Sequence, residues 1–326
     1  MLPYVFGVDI GGTAIKLGAF RTDGTLLEKW QIPTRIEDSG THVLPDALDA
    51  LRGWMAKNQV SWSQVEGVGM GVPGPVKLDG TVLRCINLNW GEQSIPAAIR
   101  ALEPGIAKFR VTNDVNAATL GEMWKGAASH CNSAVMVTLG TGIGCGIVAD
   151  GTVMSGSEGA AGEIGHFCVD RTSTVPCKCG GHGCLEQYCS ATGLVRCAKW
   201  KLAQQPERPS LLREKKQLTA KQVCDAARAG DALALELLDE LGEKLGWALT
   251  AVASTVNPEV FLIGGGLSKA GDVLLQPIAS SYRKYAFHAF RNTEFALAKL
   301  GNDAGIYGCA KMVLDCPGTS ERNLSE

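Results

Sequence analysis

Residues 5–25 read Val5-Phe6-Gly7-Val8-Asp9-Ile10-Gly11-Gly12-Thr13-Ala14-Ile15-Lys16-Leu17-Gly18-Ala19-Phe20-Arg21-Thr22-Asp23-Gly24-Thr25. An apolar strand runs into a Gly-rich turn, a second strand returns to Ala19, and Asp23-Gly24 turns the chain again into a strand over residues 25–32. The same phrase recurs at residues 134–152. Ala134 to Leu139 is an apolar strand, Gly140-Thr141-Gly142-Ile143-Gly144 a Gly-rich turn, Cys145 to Ala149 a returning strand, and Asp150-Gly151-Thr152 repeats Asp23-Gly24-Thr25. Two copies of one β-hairpin opening predict two domains of similar topology facing each other. After the first glycines a strand continues where a Rossmann fingerprint would have a helix. No Gly-Lys-Ser/Thr follows as a Walker loop would require.

Around these hairpins the pattern predicts helices over 41–57, 115–126, 219–229 and 231–256, the last ending where Asn257-Pro258 forbids continuation. Strands are predicted at 65–71, 109–112 and 259–263, with a helix start at Ser268. The predicted division is a small α/β domain at 1–115 to which residues 305–316 return, a large α/β domain at 116–304, and a polar, mobile tail at 317–326.

The 326 residues, 45% apolar, suffice for two cores. With 31 basic and 33 acidic residues interleaved and a net charge of -2, the chain lacks the footprint of a nucleic-acid binder. Its apolar runs are interrupted by glycine or proline, so no membrane span is predicted. Met1 to Phe6 has no basic leader or cleavable apolar region, which predicts a cytoplasmic protein whose 12 cysteines are reduced thiols or metal ligands.

Asp9-Ile10-Gly11-Gly12-Thr13 at the first turn offers backbone amides and a hydroxyl to an oxyanion, and Asp9 would hold magnesium. A lone Gly-Gly is usually just a tight turn. A second amide-rich turn at Gly140, Thr141 and Gly142 is what a polyphosphate held between two domains needs. Gly264-Gly265-Gly266, after a buried strand, is a third close-approach element suited to a base or ribose. Together with Lys16 these turns point to a nucleoside triphosphate.

Asn113-Asp114 stands at a strand end before a helix. Asp114 reads either as an N-cap or as a general base placed at an interdomain cleft. The loops Gly71-Val72-Pro73-Gly74-Pro75 and Asn87-Leu88-Asn89-Trp90 read as cleft loops, although Trp90 equally suits a core. Asn87, Asn113, Asp114, Glu163, His166 and Glu186 form a set of donors and acceptors fit for a sugar. Cys177, Cys179 and Cys184 crowd a Gly-rich segment of low apolar content where packing does not account for them. With His166 they make a tetrahedral zinc set; Cys168, Cys189 and His182 are the alternative ligands.

The order of these motifs, from about Tyr4 to about Lys311, resembles the ROK (repressor, open reading frame, kinase) family of bacterial sugar kinases, in particular its ATP-dependent glucokinases. Asp9 to Thr13 is similar to the family's first phosphate motif and Gly140 to Gly144 to its second. Gly264 to Ser268, with Gly301-Asn302-Asp303-Ala304-Gly305, is similar to its adenosine region. The resemblance implies an actin-like ATPase fold of duplicated ribonuclease-H-like domains with an interdomain cleft, binding ATP and hexose as a homodimer. It implies Asp114 as catalytic base, sugar contacts from Asn87, Asn113, Glu163, His166 and Glu186, and structural zinc on His166, Cys177, Cys179 and Cys184. Ser190-Ala191-Thr192-Gly193 is more similar to the glucokinase branch than to fructokinases, which predicts phosphorylation of glucose at its 6-hydroxyl. N-acetylmannosamine, allose, mannose and fructose are the alternative substrates. A sugar-sensing regulator of the family would carry a helix-turn-helix ahead of the first hairpin, which here begins at Val5.

Overall fold

The computed structural model describes residues 2–315. They divide into two compact units, residues 2–126 with 155–161 and 302–315, and residues 127–154 with 162–301. The first unit thus extends past the boundary read at 115, because the helix Asp114–Lys125 packs along the C-terminal helix Ala304–Leu314. Residues 155–161 also join the first unit, which the sequence reading did not anticipate. The tail at 317–326 lies outside the described residues.

The first unit is built on a five-stranded sheet of β1 (Tyr4–Ile10), β2 (Ala14–Arg21), β3 (Leu26–Pro33), β4 (Val65–Val72) and β5 (Phe109–Asn113), in the order β3-β2-β1-β4-β5. The first three strands are antiparallel, and β4 and β5 continue the sheet in parallel from β1. Alternation along β1 puts Phe6, Val8 and Ile10 on one face, in a core with Leu44, Leu48 and Leu51 of the helix Val43–Asn58. Val5, Gly7 and Asp9 fall on the other face, beneath the C-terminal helix. That helix lies very close to its neighbours. A Cβ on Gly69 of β4 would stand 1.8 Å from the Cys309 carbonyl oxygen, and one on Gly308 would stand 1.6 Å from that of Ala117. Only glycine permits either approach.

The second unit has a five-stranded sheet of β6 (Ala134–Leu139), β7 (Ile143–Ala149), β8 (Thr152–Val153), β9 (Val260–Gly264) and β10 (Glu294–Leu297). Its order is β8-β7-β6-β9-β10, with β6, β7 and β8 antiparallel and β9 and β10 parallel to β6. Strand for strand, this is the topology of the first unit. Val135, Val137 and Leu139 share a buried core with Leu237, Leu241 and Leu245 of the helix Ala232–Val256 and with Ile278 and Tyr282 of the helix Asp272–Tyr285. The long helix ends at Asn257, whose left-handed φ of 43° caps it just before Pro258. The helix start expected at Ser268 is displaced. Residues Gly266–Ala270 form a 3-10 turn, Gly271 takes a φ of 72°, and the α-helix begins at Asp272. Among the described residues no helix is long and apolar enough to cross a membrane.

Candidate functional site

In the first unit the turn between β1 and β2 is closed by the Gly11 amide donating to the Ala14 carbonyl, at 3.0 Å. The antiparallel register sets Asp9 opposite Lys16, and Lys16 Nζ reaches Asp9 Oδ2 at 3.0 Å. Asp9 also lies under the first turn of the C-terminal helix, so close that a Cβ on Gly305 would stand 2.7 Å from its Cγ. An alanine there would displace the carboxylate. The Gly12 backbone abuts Asn87, whose carbonyl oxygen would be 3.2 Å from an added Cβ. Asn87 sits exposed in the 3-10 turn Ile86–Leu88. Thr34, which the sequence reading passed over, donates its hydroxyl to the Gly11 carbonyl at 2.6 Å, and its amide donates to the Thr13 carbonyl at 3.0 Å.

Asp114 opens the helix that follows β5, but it is not the N-cap. Asn113 is: its Oδ1 accepts from the amides of Val115 at 2.9 Å and Asn116 at 3.2 Å, while its Nδ2 donates to the Gly74 carbonyl at 3.1 Å. Capping the helix with the preceding residue leaves Asp114 in the first turn. Desolvation first, and the Asp9 carboxylate second, push the Asp114 carboxyl from 3.8 up to about 7. A carboxylate of that proton affinity suits proton abstraction at neutral pH. Trp90 resolves as core, buried with its Nε1 donating to the Gly40 carbonyl at 3.0 Å.

In the second unit the turn is narrower than read, Gly140 to Gly142, because Ile143 and Gly144 already belong to β7. The Gly140 amide donates to the Gly142 carbonyl at 3.0 Å. Glu186, at the start of a short helix, accepts from the Ile143 amide through Oε2 at 3.1 Å. It is so close that a Cβ on Gly142 would meet that oxygen at 2.2 Å. The segment after Glu186 holds the same turn. The Ala191 amide donates to the Gly140 carbonyl at 2.8 Å, and the Thr192 hydroxyl to the Thr141 carbonyl at 2.7 Å. Of the three glycines at 264–266, Gly265 (φ 79°) is required because a Cβ there would stand 2.6 Å from the Leu139 backbone, and Gly264 faces Met136. Only Gly266 borders open space.

Glu163 precedes the 3-10 turn Ile164–His166 and His166 ends it, both exposed. One ligand atom from each of His166, Cys177, Cys179 and Cys184 lies within 4.8 Å of the others. Cys177 Sγ is 3.7 Å from His166 Nδ1, and Cys179 Sγ is 3.6 Å from Cys184 Sγ. Tetrahedral ligands at a Zn–S distance of about 2.3 Å stand about 3.8 Å apart, so the donor set fits zinc. Its electrostatics agree: the Gly181 amide and the thiols of Cys177 and Cys184 pull Cys179 down, whereas burial and the neighbouring thiols push Cys184 up to about 12. Sulfurs crowded this closely cannot all ionise without a compensating cation. Of the alternative ligands, Cys189 is buried with its thiol directed at the Leu241 carbonyl, and Cys168 and His182 lie in β-bridges to Cys184 and Pro176 without joining the four-residue set.

Two glycine-turned hairpins on duplicated sheets, each opening a five-stranded 3-2-1-4-5 arrangement, define the actin-like ATPase fold, and a carboxylate pair beside one hairpin gives it the stamp of a phosphotransferase. Comparison with known proteins makes this specific. The chain matches the ROK family over residues 5–316, and it belongs to that family. It is 42% identical over 306 residues to a glucokinase of Halalkalibacterium halodurans, covering 93% of this chain and 92% of the relative. It is 32% identical to a glucokinase of Thermotoga maritima, covering 95% and 96%. Among solved structures, it is similar to a ROK family glucokinase from Streptomyces griseus in complex with glucose and AMPPNP, at a TM-score of 0.73 and 33% identity, covering 95% of this chain and 98% of that one.

Proposed function

We propose that this protein is an ATP-dependent glucokinase that transfers the γ-phosphoryl group of ATP to the 6-hydroxyl of glucose. The similarity to named glucokinases over nearly the whole chain supports the substrate pair. The observation that carries the mechanism is the setting of Asp114 in the first unit. Asp9 is paired with Lys16, whereas Asp114 is pushed up to about 7. Asp114 takes the proton of the glucose 6-hydroxyl. The oxygen attacks the γ-phosphorus, the bond to the bridging oxygen of ADP breaks, and glucose 6-phosphate and ADP leave with the proton on Asp114.

Gly11, Gly12 and Thr13 of the first turn and Gly140, Thr141 and Gly142 of the second present amides to the phosphates, with Lys16 adding positive charge. Gly264, Gly265 and Gly266 lie at the adenosine, Gly266 supplying the open surface. Asp9 would hold magnesium, which neutralises the phosphates when bound. Asn87, Asn113, Glu163, His166 and Glu186 hold the sugar hydroxyls. Since Asn113 Oδ1 is committed to the helix cap, its backbone or its Nδ2 makes that contact. Zinc held by four protein ligands would be structural: it would fix His166 through Nδ1 and leave Nε2 for a sugar hydroxyl. The described cysteines are free thiols, which supports a cytoplasmic setting. The assembly the family resemblance favours is a homodimer.

Asp114→Ala tests the mechanism. It is expected to lower kcat by on the order of 10² to 10⁴ while glucose still binds, measured by coupled assay and calorimetry. Turnover near that of the wild type would remove Asp114 from the role.

A further inference from the structure

The two glycine turns are held in the same way, by threonines that lie outside both hairpins. In each, the first amide is spent inside the turn, Gly11 on Ala14 and Gly140 on Gly142. In each, one carbonyl then accepts a threonine hydroxyl: Gly11 from Thr34 at 2.6 Å, and Thr141 from Thr192 at 2.7 Å. The next two amides, Gly12 and Thr13 in one turn and Thr141 and Gly142 in the other, have no acceptor among the described residues.

The chemistry of a peptide plane explains the arrangement. Carbonyl and amide point in opposite directions, so anchoring a carbonyl inward turns the following amide outward, and a carbonyl left loose could swing toward an anion and repel it. A threonine suits this anchor because its single proton is committed to the carbonyl and its χ1 is stiff. The second anchor is itself held. Ser190 Oγ lies 3.1 Å from Thr192 Oγ1, 2.7 Å from the Glu186 carbonyl and 3.0 Å from the Gly193 amide. The Ser190 hydroxyl donates to the Glu186 carbonyl and accepts from the Gly193 amide, which fixes its oxygen beside Thr192 while the latter donates to Thr141. This gives Ser190-Ala191-Thr192-Gly193 a physical task within the second unit.

We infer that Thr34 and Thr192 are positioning residues for nucleotide phosphates, each fixing the carbonyl of one turn so that the amide of the same peptide plane, that of Gly12 or Gly142, faces outward. The inference rests on the nucleotide role proposed above for those turns, and it assigns neither threonine a contact with substrate.

Its test is calorimetric titration of the full chain with magnesium and AMPPNP, and separately with glucose. Thr34→Val and Thr192→Val, which keep shape and remove the hydroxyl, should each weaken AMPPNP binding by about three- to tenfold, the loss expected for one anchoring hydrogen bond. Glucose affinity and bound zinc should be unchanged, and Thr34→Ser and Thr192→Ser should restore AMPPNP binding. Should a valine variant prove unstable, the alanine variant serves the same comparison. Wild-type AMPPNP affinity in both valine variants would overturn the inference, as would equal losses of glucose and AMPPNP affinity. A wild-type chain that binds no AMPPNP would instead refute the nucleotide role itself.

Discussion

Asp114 illustrates how one residue's chemistry is set by its neighbours. An aspartate in the first turn of a helix would ordinarily be a strong acid there, because the helix N-terminus favours its charge. Desolvation and the charge of Asp9 outweigh that effect and raise it to about 7. The active form of a general base is deprotonated, so kcat/KM should fall as pH drops through about 7, by about tenfold per unit below it. Asp9→Asn removes the second cause of the shift, and the acid limb should then move to lower pH. A pH profile at saturating magnesium checks both, and an acid limb near the ordinary aspartate value in the wild type would contradict the assignment. The sequence showed Asp114 at a strand end before a helix but could not separate base from cap. That choice depended on whether Asn113, one residue earlier, already supplied the cap, and a one-residue offset has no signature in composition.

At the scale of elements, the loop from Glu163 to Glu186 shows what spacing can reveal. Three cysteines among glycines were legible as a ligand set because thiols two and five positions apart on a flexible backbone can meet without help from the rest of the fold. Cys179→Ser is expected to lower bound zinc to less than about half an equivalent per chain and to weaken glucose binding. The same loop orients His166 and carries Glu186 to the Ile143 amide. Elemental analysis and glucose titration check it, and full zinc retention with unchanged glucose affinity would defeat it. Thr34 was not legible. Its contact is one hydroxyl on a carbonyl 23 positions away, and only the folded register brings the two together. Nor was the helix start after Gly266. The sequence places a helix start at Ser268, but the positive φ of Gly271 delays the helix to Asp272.

Across the whole molecule, duplication was the readable feature. Gly-Gly and Asp-Gly turns are local chemistry, so a hairpin announces itself in sequence and its recurrence announces a second copy of the topology. What local chemistry did not carry was the path of the chain between units. The helix Asp114–Lys125 joins the first unit because Gly308 and Gly121 let it and the C-terminal helix meet backbone to backbone. The insertion of residues 155–161 into that unit likewise depends on contacts distant in sequence. Choice of hexose also sits beyond motif reading, since one substituent contact is worth only about 1–3 kcal/mol. The central claim is therefore tested most directly by a steady-state panel with ATP and magnesium against glucose, mannose, allose, fructose and N-acetylmannosamine, with the product identified by phosphorus NMR. The account predicts glucose 6-phosphate as product and the highest kcat/KM for glucose. A higher kcat/KM for another hexose, or no ATP-dependent phosphorylation of glucose, would contradict it.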